Sequence, residues 1–173
     1  MVASDPRFYF EDLEVGQEWE SPGRTVTEAD IVNYAGLSGD FNPIHMDHEF
    51  AKTTPFRRPI AHGALVWSMS TGLAQNCPPM RTLAFLSIRD WQFKGPVFIQ
   101  DTIRVRSKVL EKEVRSRGRR GTITWQRQIL NQEGKVVQEG ITVTLVEGRG
   151  LAKEGTGEAP TEEFDNKEVT SDK

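Results

Sequence analysis

The run Gly-Ala-Leu-Val-Trp-Ser-Met-Ser-Thr-Gly-Leu-Ala, residues 63–74, constrains the fold more than any other part of the chain. It is apolar on nearly every side, and a helix of that kind belongs inside a molecule rather than on its surface. Pro78-Pro79 ends it, because proline has no backbone donor for a continuing helix. Beyond these prolines the chain reads as strand. Leu83 to Phe93 is rich in β-branched and aromatic residues, and Thr102-Ile-Arg-Val-Arg106 alternates cleanly. Ile123, Trp125 and Ile129 alternate against Thr122, Thr124 and Gln128, and Ile141, Val143 and Leu145 against Thr142 and Thr144. This is the period of a strand with two unlike faces. Residues 118–121 and 131–134 punctuate these strands as hairpin turns. A buried helix and an antiparallel sheet each need one apolar partner, so the sheet must wrap the helix. The expected class is α+β in the hot-dog arrangement. Open edges on such a sheet invite self-association.

Ahead of the helix, residues 11–26 read as a lead-in and a first strand. Thr27-Glu-Ala-Asp30 is a capping box that starts a helix with Ile31, Tyr34 and Ala35 on one face. Gly36 and Ser38-Gly39 should stop it near Leu37. Residues 39–59 then form a long ordered excursion, in which Asn42-Pro43 forces an extended residue and a turn. Loops of this length inside a compact domain tend to carry function.

At 173 residues the chain has the size of one domain, expected over residues 1–150. No stretch of eighteen or more apolar residues is present to span a membrane. Met-Val-Ala-Ser-Asp-Pro-Arg at the start lacks the apolar core of a secretory signal. The single Cys77 rules out an internal disulfide and fits a reducing compartment, so the cytoplasm is the expected location. No histidine neighbours Cys77 in sequence, and it reads as a packed or idle thiol. The net charge of −3 conceals an asymmetry: residues 152–173 hold seven acids and three lysines, a net of −4, which leaves +1 for the rest. With few apolar residues to repay ordering, residues 151–173 read as an acidic, disordered, solvating tail.

The chemistry concentrates between Ser38 and Gly63. Asp40 and His45 stand five residues apart in a stretch not expected to be regular helix. Asp40 could serve an Asx turn and His45 could fill the loop. Together, with Asn42-Pro43 fixing the backbone between them, they can instead hold one water, the carboxylate accepting its proton and the imidazole orienting it. Such acid–base help is worth about 10²–10⁴ in rate. Gly63 opens the buried helix, whose N-terminus offers unpaired N–H groups and the positive end of a dipole. Glycine would let a carbonyl oxygen come close, and those groups would stabilise an enolate; tight packing of the helix is the plainer use of the same glycine. His62 beside it reads as a hydrogen-bonded scaffold residue.

The segment resembles the signature of MaoC-like dehydratases and (R)-specific enoyl-CoA hydratases. The resemblance rests on Ser38-Gly-Asp-Phe-Asn-Pro-Ile-His45, on Phe50-Ala51 with Thr54 and Phe56, and on Pro59-Ile-Ala-His-Gly63, and it extends over residues 10–147. It implies that Asp40 and His45 are the catalytic pair, that the Gly63 N–H polarises a thioester, and that Asn42 supports the loop or the substrate. Family members often carry a serine eight residues after the glycine; here that position is Thr71, beside Ser70. Asn42, His62 and Thr71 are thus the candidates for contact with substrate. The resemblance further implies an acyl-CoA substrate, no cofactor, no metal, and a homodimer or dimer-based oligomer.

Other clusters receive plainer readings. Arg115, Arg117, Arg119 and Arg120, with Arg104, Arg106, Lys108 and Lys112 before them, suit a solvated hairpin, with CoA phosphates or nucleic acid as rivals. His45, Asp47, His48 and His62 include metal-ligand types, yet residues 45, 47 and 48 do not converge easily from one turn. Trp67, Met69, Phe85 and Trp91 are candidates for tunnel or core. The expected function is reversible hydration of a trans-2-enoyl thioester to the (R)-3-hydroxyacyl thioester, without nucleic acid or membrane as partner. A hot-dog thioesterase and a non-catalytic acyl-CoA-binding module are the alternatives.

Overall fold

The computed structural model describes residues 6–116 and 119–152. Arg117 of the basic cluster and the acidic run from residue 153 onward lie outside the described residues. A 3₁₀ turn at Phe10–Asp12 leads into β1 (Glu18–Glu20) and β2 (Arg24–Thr25), after which comes helix α1 (Glu28–Ser38). Short helices α2 (Pro43–Met46) and α3 (His48–Thr53) precede the central helix α4 (Gly63–Ala74). The chain then runs through β3 (Thr82–Phe93), β4 (Thr102–Arg115), β5 (Arg120–Leu130), β6 (Val136–Glu147) and a last turn, α5 (Arg149–Ala152). The strands pair antiparallel in the order β1-β4-β5-β6-β3, with β2 also on β4. β3 is therefore an edge strand although it comes directly after the helix.

The sheet curls around α4, which is the hot-dog arrangement expected. Leu65, Val66 and Met69 from the helix meet Val26, Ile31, Ala61, Val97, Ile103, Ile129 and Val137 in one buried cluster. A second cluster, Phe10, Leu13, Met80, Val109, Ile123, Trp125 and Val146, fills the far end of the sheet beneath the N-terminal segment. Each fully buried aliphatic side chain in these clusters contributes about 1.5–3 kcal/mol by leaving water.

Two features of the core depart from the sequence pattern. Within one chain α4 is not enclosed on all sides: Ala64, Ser68 and Thr71 form an exposed stripe. Ala64 of that stripe borders a shallow apolar groove with Ile88 and Phe93 of β3, and Leu83, Phe85 and Leu86 of the same strand are also exposed. On β6 the phase is inverted. Thr142 and Thr144 are buried toward the helix, while Ile141, Val143 and Leu145 lie half-buried on the other face. Apolar residues on both faces of a strand leave the alternation unable to say which face turns inward.

The excursion 39–59 is more regular than expected. The Thr27 hydroxyl accepts from the Asp30 N–H and the Asp30 carboxylate accepts from the Thr27 N–H, so the capping box starts α1 as expected. Gly39, at φ 76°, closes α1 in the left-handed region that glycine favours. Asp40 stays outside regular structure, but His45 sits in α2, a single helical turn. Pro43 is compatible with it because the first turn of a helix needs no N–H from that residue. Asn42 caps this turn, its Oδ1 accepting from the Ile44 N–H. Asp47 caps α3, taking the Glu49 and Phe50 N–H groups. A hydrogen bond of 2.8 Å from His48 to Glu28 ties α3 back to α1.

Candidate active site

The cap at Asn42 and the turn after it aim His45 back toward Asp40. His45 Nε2 stands 4.0 Å from Asp40 Oδ2, with the carboxylate side chain 51% exposed and the imidazole 12%. This is too long for a direct hydrogen bond, and one water can lie within bonding distance of both atoms. The His45 Nδ1 is 2.7 Å from the Ile60 carbonyl. A carbonyl only accepts, so Nδ1 carries the proton and the neutral ring turns an unprotonated Nε2 toward Asp40. Burial, the largest influence, pushes the His45 pKa below its usual value; the Ile60 bond opposes this, His62 adds to it, and Asp40 opposes it. The ring therefore stays neutral at neutral pH.

His62 is a support for this pair. It is 2% exposed and stacks on His45 with centroids 3.8 Å apart. Its Nε2–H donates to the Asp40 carbonyl at 2.9 Å, which fixes the backbone that presents the carboxylate. Its Nδ1 is buried without a partner among the described residues. His62 is sealed beneath His45, which favours its scaffold reading over contact with substrate. Asn42 is also committed to the loop through its cap. Thr71 is exposed on α4 and donates to the Ser68 carbonyl. Eight residues of helix place it about 12 Å from Gly63, so one chain does not bring it to the pair.

Ligand-type atoms of Asp40, His45 and His62 lie within 4.8 Å of one another. The two imidazoles are stacked at 29°, so their in-plane lone pairs run side by side rather than converge at the short distances a metal demands. The wider set that would add Asp47 and His48 is not assembled, because both serve α3.

Gly63 begins α4, and no acceptor among the described residues takes its N–H. It borders an open cleft of about 440 Å³ shared with His45, Phe56, Val66 and Phe93. A Cβ at Gly63 would stand 2.7 Å from the Phe93 ring, so close packing accounts for this glycine as well. Sequence reasoning missed Gln138, which is 2% exposed. Its amide donates to the Gly63 carbonyl at 2.9 Å and accepts from Trp91 Nε1 at 3.0 Å. Gln138 thereby ties β6 to the Gly63–Ala64 peptide, the unit that follows the Gly63 N–H group.

A second hollow of about 120 Å³ lies between the C-terminal half of α4 and the sheet, walled by Trp67, Ser70, Thr71, Trp91, Thr142 and Arg127 among others. Arg127 was also missed, although it continues the inward series Ile123, Trp125, Ile129. Of the four residues that suit either tunnel or core, Trp67, Phe85 and Trp91 line this hollow and Met69 is core.

The remaining candidates are accounted for locally. Arg104 and Arg106 pair with Glu20, Lys108 with Glu18 and Arg115 with Glu113, which removes most of the positive field a phosphate or nucleic acid would use. Burial pushes the Cys77 thiol up, away from nucleophilic reactivity. No helix among the described residues is long and apolar enough to cross a membrane.

The chain is similar to several known proteins. An (R)-specific enoyl-CoA hydratase of Rhodospirillum rubrum is 35% identical over 146 residues, covering 82% of this chain and 94% of the relative. A 3-hydroxybutyryl-CoA dehydratase of Methylorubrum extorquens is 36% identical over 103 residues, covering 60% of this chain and 64% of the relative. Among solved structures, a monoamine oxidase regulatory protein from Archaeoglobus fulgius superposes with a TM-score of 0.75 at 37% identity, over 82% of this chain and 95% of that one. The family model for the MaoC like domain matches residues 12–128, and the chain belongs to that family.

Proposed function

We propose that the chain is a hydro-lyase that adds water reversibly to a trans-2-enoyl-CoA, giving the (R)-3-hydroxyacyl-CoA. The observation that carries this reading is the 4.0 Å gap between Asp40 Oδ2 and an unprotonated His45 Nε2, beside a helix that begins at Gly63. Asp40 removes a proton from the bridging water as its oxygen bonds to the β-carbon. The π electrons move onto the thioester oxygen, where the Gly63 N–H stabilises the enolate. His45, which held the water through Nε2, then takes the proton from Asp40 at that nitrogen and delivers it to the α-carbon, leaving both side chains as they began. Dehydration runs the same steps backward.

Ile88 and Phe93 of β3 and Ala64 of α4 border one apolar groove beside the unpaired β3 edge. Edges of this kind are normally covered, and a second copy of the chain paired along β3 would cover this one. We place the enzyme in the cytoplasm. The test is a panel of 2-enoyl-CoAs of rising length, monitored by loss of enoyl absorbance, assay of free thiol and chiral analysis of the product. Loss of absorbance without thiol, with an (R) product, supports the proposal. Thiol release without hydration identifies a thioesterase, and binding without turnover a non-catalytic module.

A further inference from the structure

Arg127 faces inward from β5 and is only 7% exposed. No carboxylate among the described residues pairs with it. Its Nε donates to Thr142 Oγ1 at 3.4 Å, its Nη1 to Ser107 Oγ, and its guanidinium lies 4.5 Å from the Trp125 ring centroid. Nη2 has no acceptor among the described residues. Burial pushes its pKa down to about 10, so the group remains a cation at neutral pH. A charge removed from water without a counter-ion is costly, and proteins pair such charges or use them on a ligand.

The hollow that Arg127 faces has apolar walls in Trp67, Met80, Phe85, Trp91 and Val105, with a polar patch beside the guanidinium. Thr142 and Thr144 replace the aliphatic inner face of β6, and Ser70 and Thr71 face them from α4. Trp67 and Trp91 wall both the hollow and a shallow apolar groove beside β3, and Phe93 walls both that groove and the cleft at Gly63. Along the helix the span is about 10–12 Å, the rise from Gly63 to Ser70 and Thr71.

We infer that this hollow receives the far end of the acyl group and that this end carries a carboxylate, so that the enzyme acts on 2-enoyl-CoA thioesters of dicarboxylic acids. The inference rests on the hydratase reading and narrows its substrate class. A carboxylate can take two N–H groups of the guanidinium fork and cancel its charge. A hydroxyl tail would satisfy one donor and leave the charge, and a methyl tail would do neither.

The test uses the full-length protein and pairs of 2-enoyl-CoAs matched in length, one ending in methyl and the other in carboxylate. The carboxylate member is expected to have at least about a tenfold higher kcat/KM at the length that reaches Arg127. In Arg127→Met the ratio between the two tails should fall below one, and in Arg127→Lys it should be intermediate, since lysine keeps the charge and loses the fork. Because the ratio is read within one enzyme, a general loss of activity does not mimic the result. Should Arg127→Met fail to fold, competitive inhibition of the wild-type enzyme by saturated acyl-CoAs decides, the carboxylate-ended member binding at least about tenfold tighter. Equal treatment of the two tails, or preference for methyl, shows a water-filled hollow around a structural arginine and overturns this inference while the hydratase reading stands. Failure to hydrate any enoyl-CoA overturns both.

Discussion

Replacing Gln138 with leucine tests whether the Gly63–Ala64 peptide is held in place from behind. Leucine fills similar space but removes the donor to the Gly63 carbonyl and the acceptor for Trp91 Nε1. The first loss costs about 0.5–1.5 kcal/mol, and the indole N–H left without its partner costs about 1–3 kcal/mol. Burying leucine in place of the amide returns roughly 1–2 kcal/mol. Taking the middle of each range, the net destabilisation is about 1.5 kcal/mol, and for a chain of this size each kcal/mol lowers Tm by about 2–4 °C. A thermal melt should therefore shift down by roughly 3–6 °C, and kcat should fall because the first turn of α4, with the Gly63 N–H one peptide before the freed carbonyl, is no longer fixed against β6. Gln138→Glu sharpens the test. An ionised glutamate has no proton to give the Gly63 carbonyl, whereas a protonated one does. Its buried carboxyl should be raised in pKa, so the stabilising bond is present at low pH and lost as pH rises through the folded value. The variant should melt lower at pH 8 than at pH 5, relative to wild type. A leucine variant with unchanged Tm and unchanged kcat would refute the supporting role.

The same geometry sets other outcomes. Because the folded His45 pKa lies below its ordinary 6.5, the neutral ring persists into mild acid, and the acid limb of kcat/KM should have its midpoint below pH 6.5. Protonation of His45 is disfavoured by the fold, so this group contributes no destabilisation above its unfolded pKa and destabilises as pH falls below it; melts between pH 8 and pH 5 check this. His62→Gln should lower kcat by about tenfold or more with little change in KM, since the bond to the Asp40 carbonyl positions the carboxylate without touching substrate; steady-state kinetics separate the two. Phe85→Glu or Ile88→Lys on the exposed edge strand should yield a monomer in sedimentation velocity where the wild-type chain gives a dimer.

Much of this molecule is legible in its residues. The capping box at Thr27 and Asp30, the apolar composition of α4, and the strands of β3 to β6 are local signals, set by capping, periodicity and breakers. Asp40 and His45 are legible because Asn42-Pro43 fixes the few residues between them. What escapes is settled by partners distant in sequence. Arg127 sits at the inward phase of β5, but a charged residue in an apolar series reads as an interruption until Ser107 of β4 and Thr142 of β6 are seen on either side. The inverted phase of β6 has the same origin, because Ile141 and Thr142 each fit a half-buried face and the neighbouring strands decide between them. The bare stripe of α4 escapes for another reason: an apolar helix reads alike whether its last side meets its own chain or another surface.

Water activation by Asp40 and His45 is probed most simply by the turnover of a 2-enoyl-CoA by Asp40→Asn beside the wild-type enzyme. Asparagine retains an oxygen for the Asn42 N–H, so the loop and the melting temperature should be preserved while the proton acceptor is lost. The expected fall in kcat is about 10²–10⁴, with CoA-ester binding maintained. Turnover within a few-fold of wild type would show that the carboxylate is not the group that takes the proton from water.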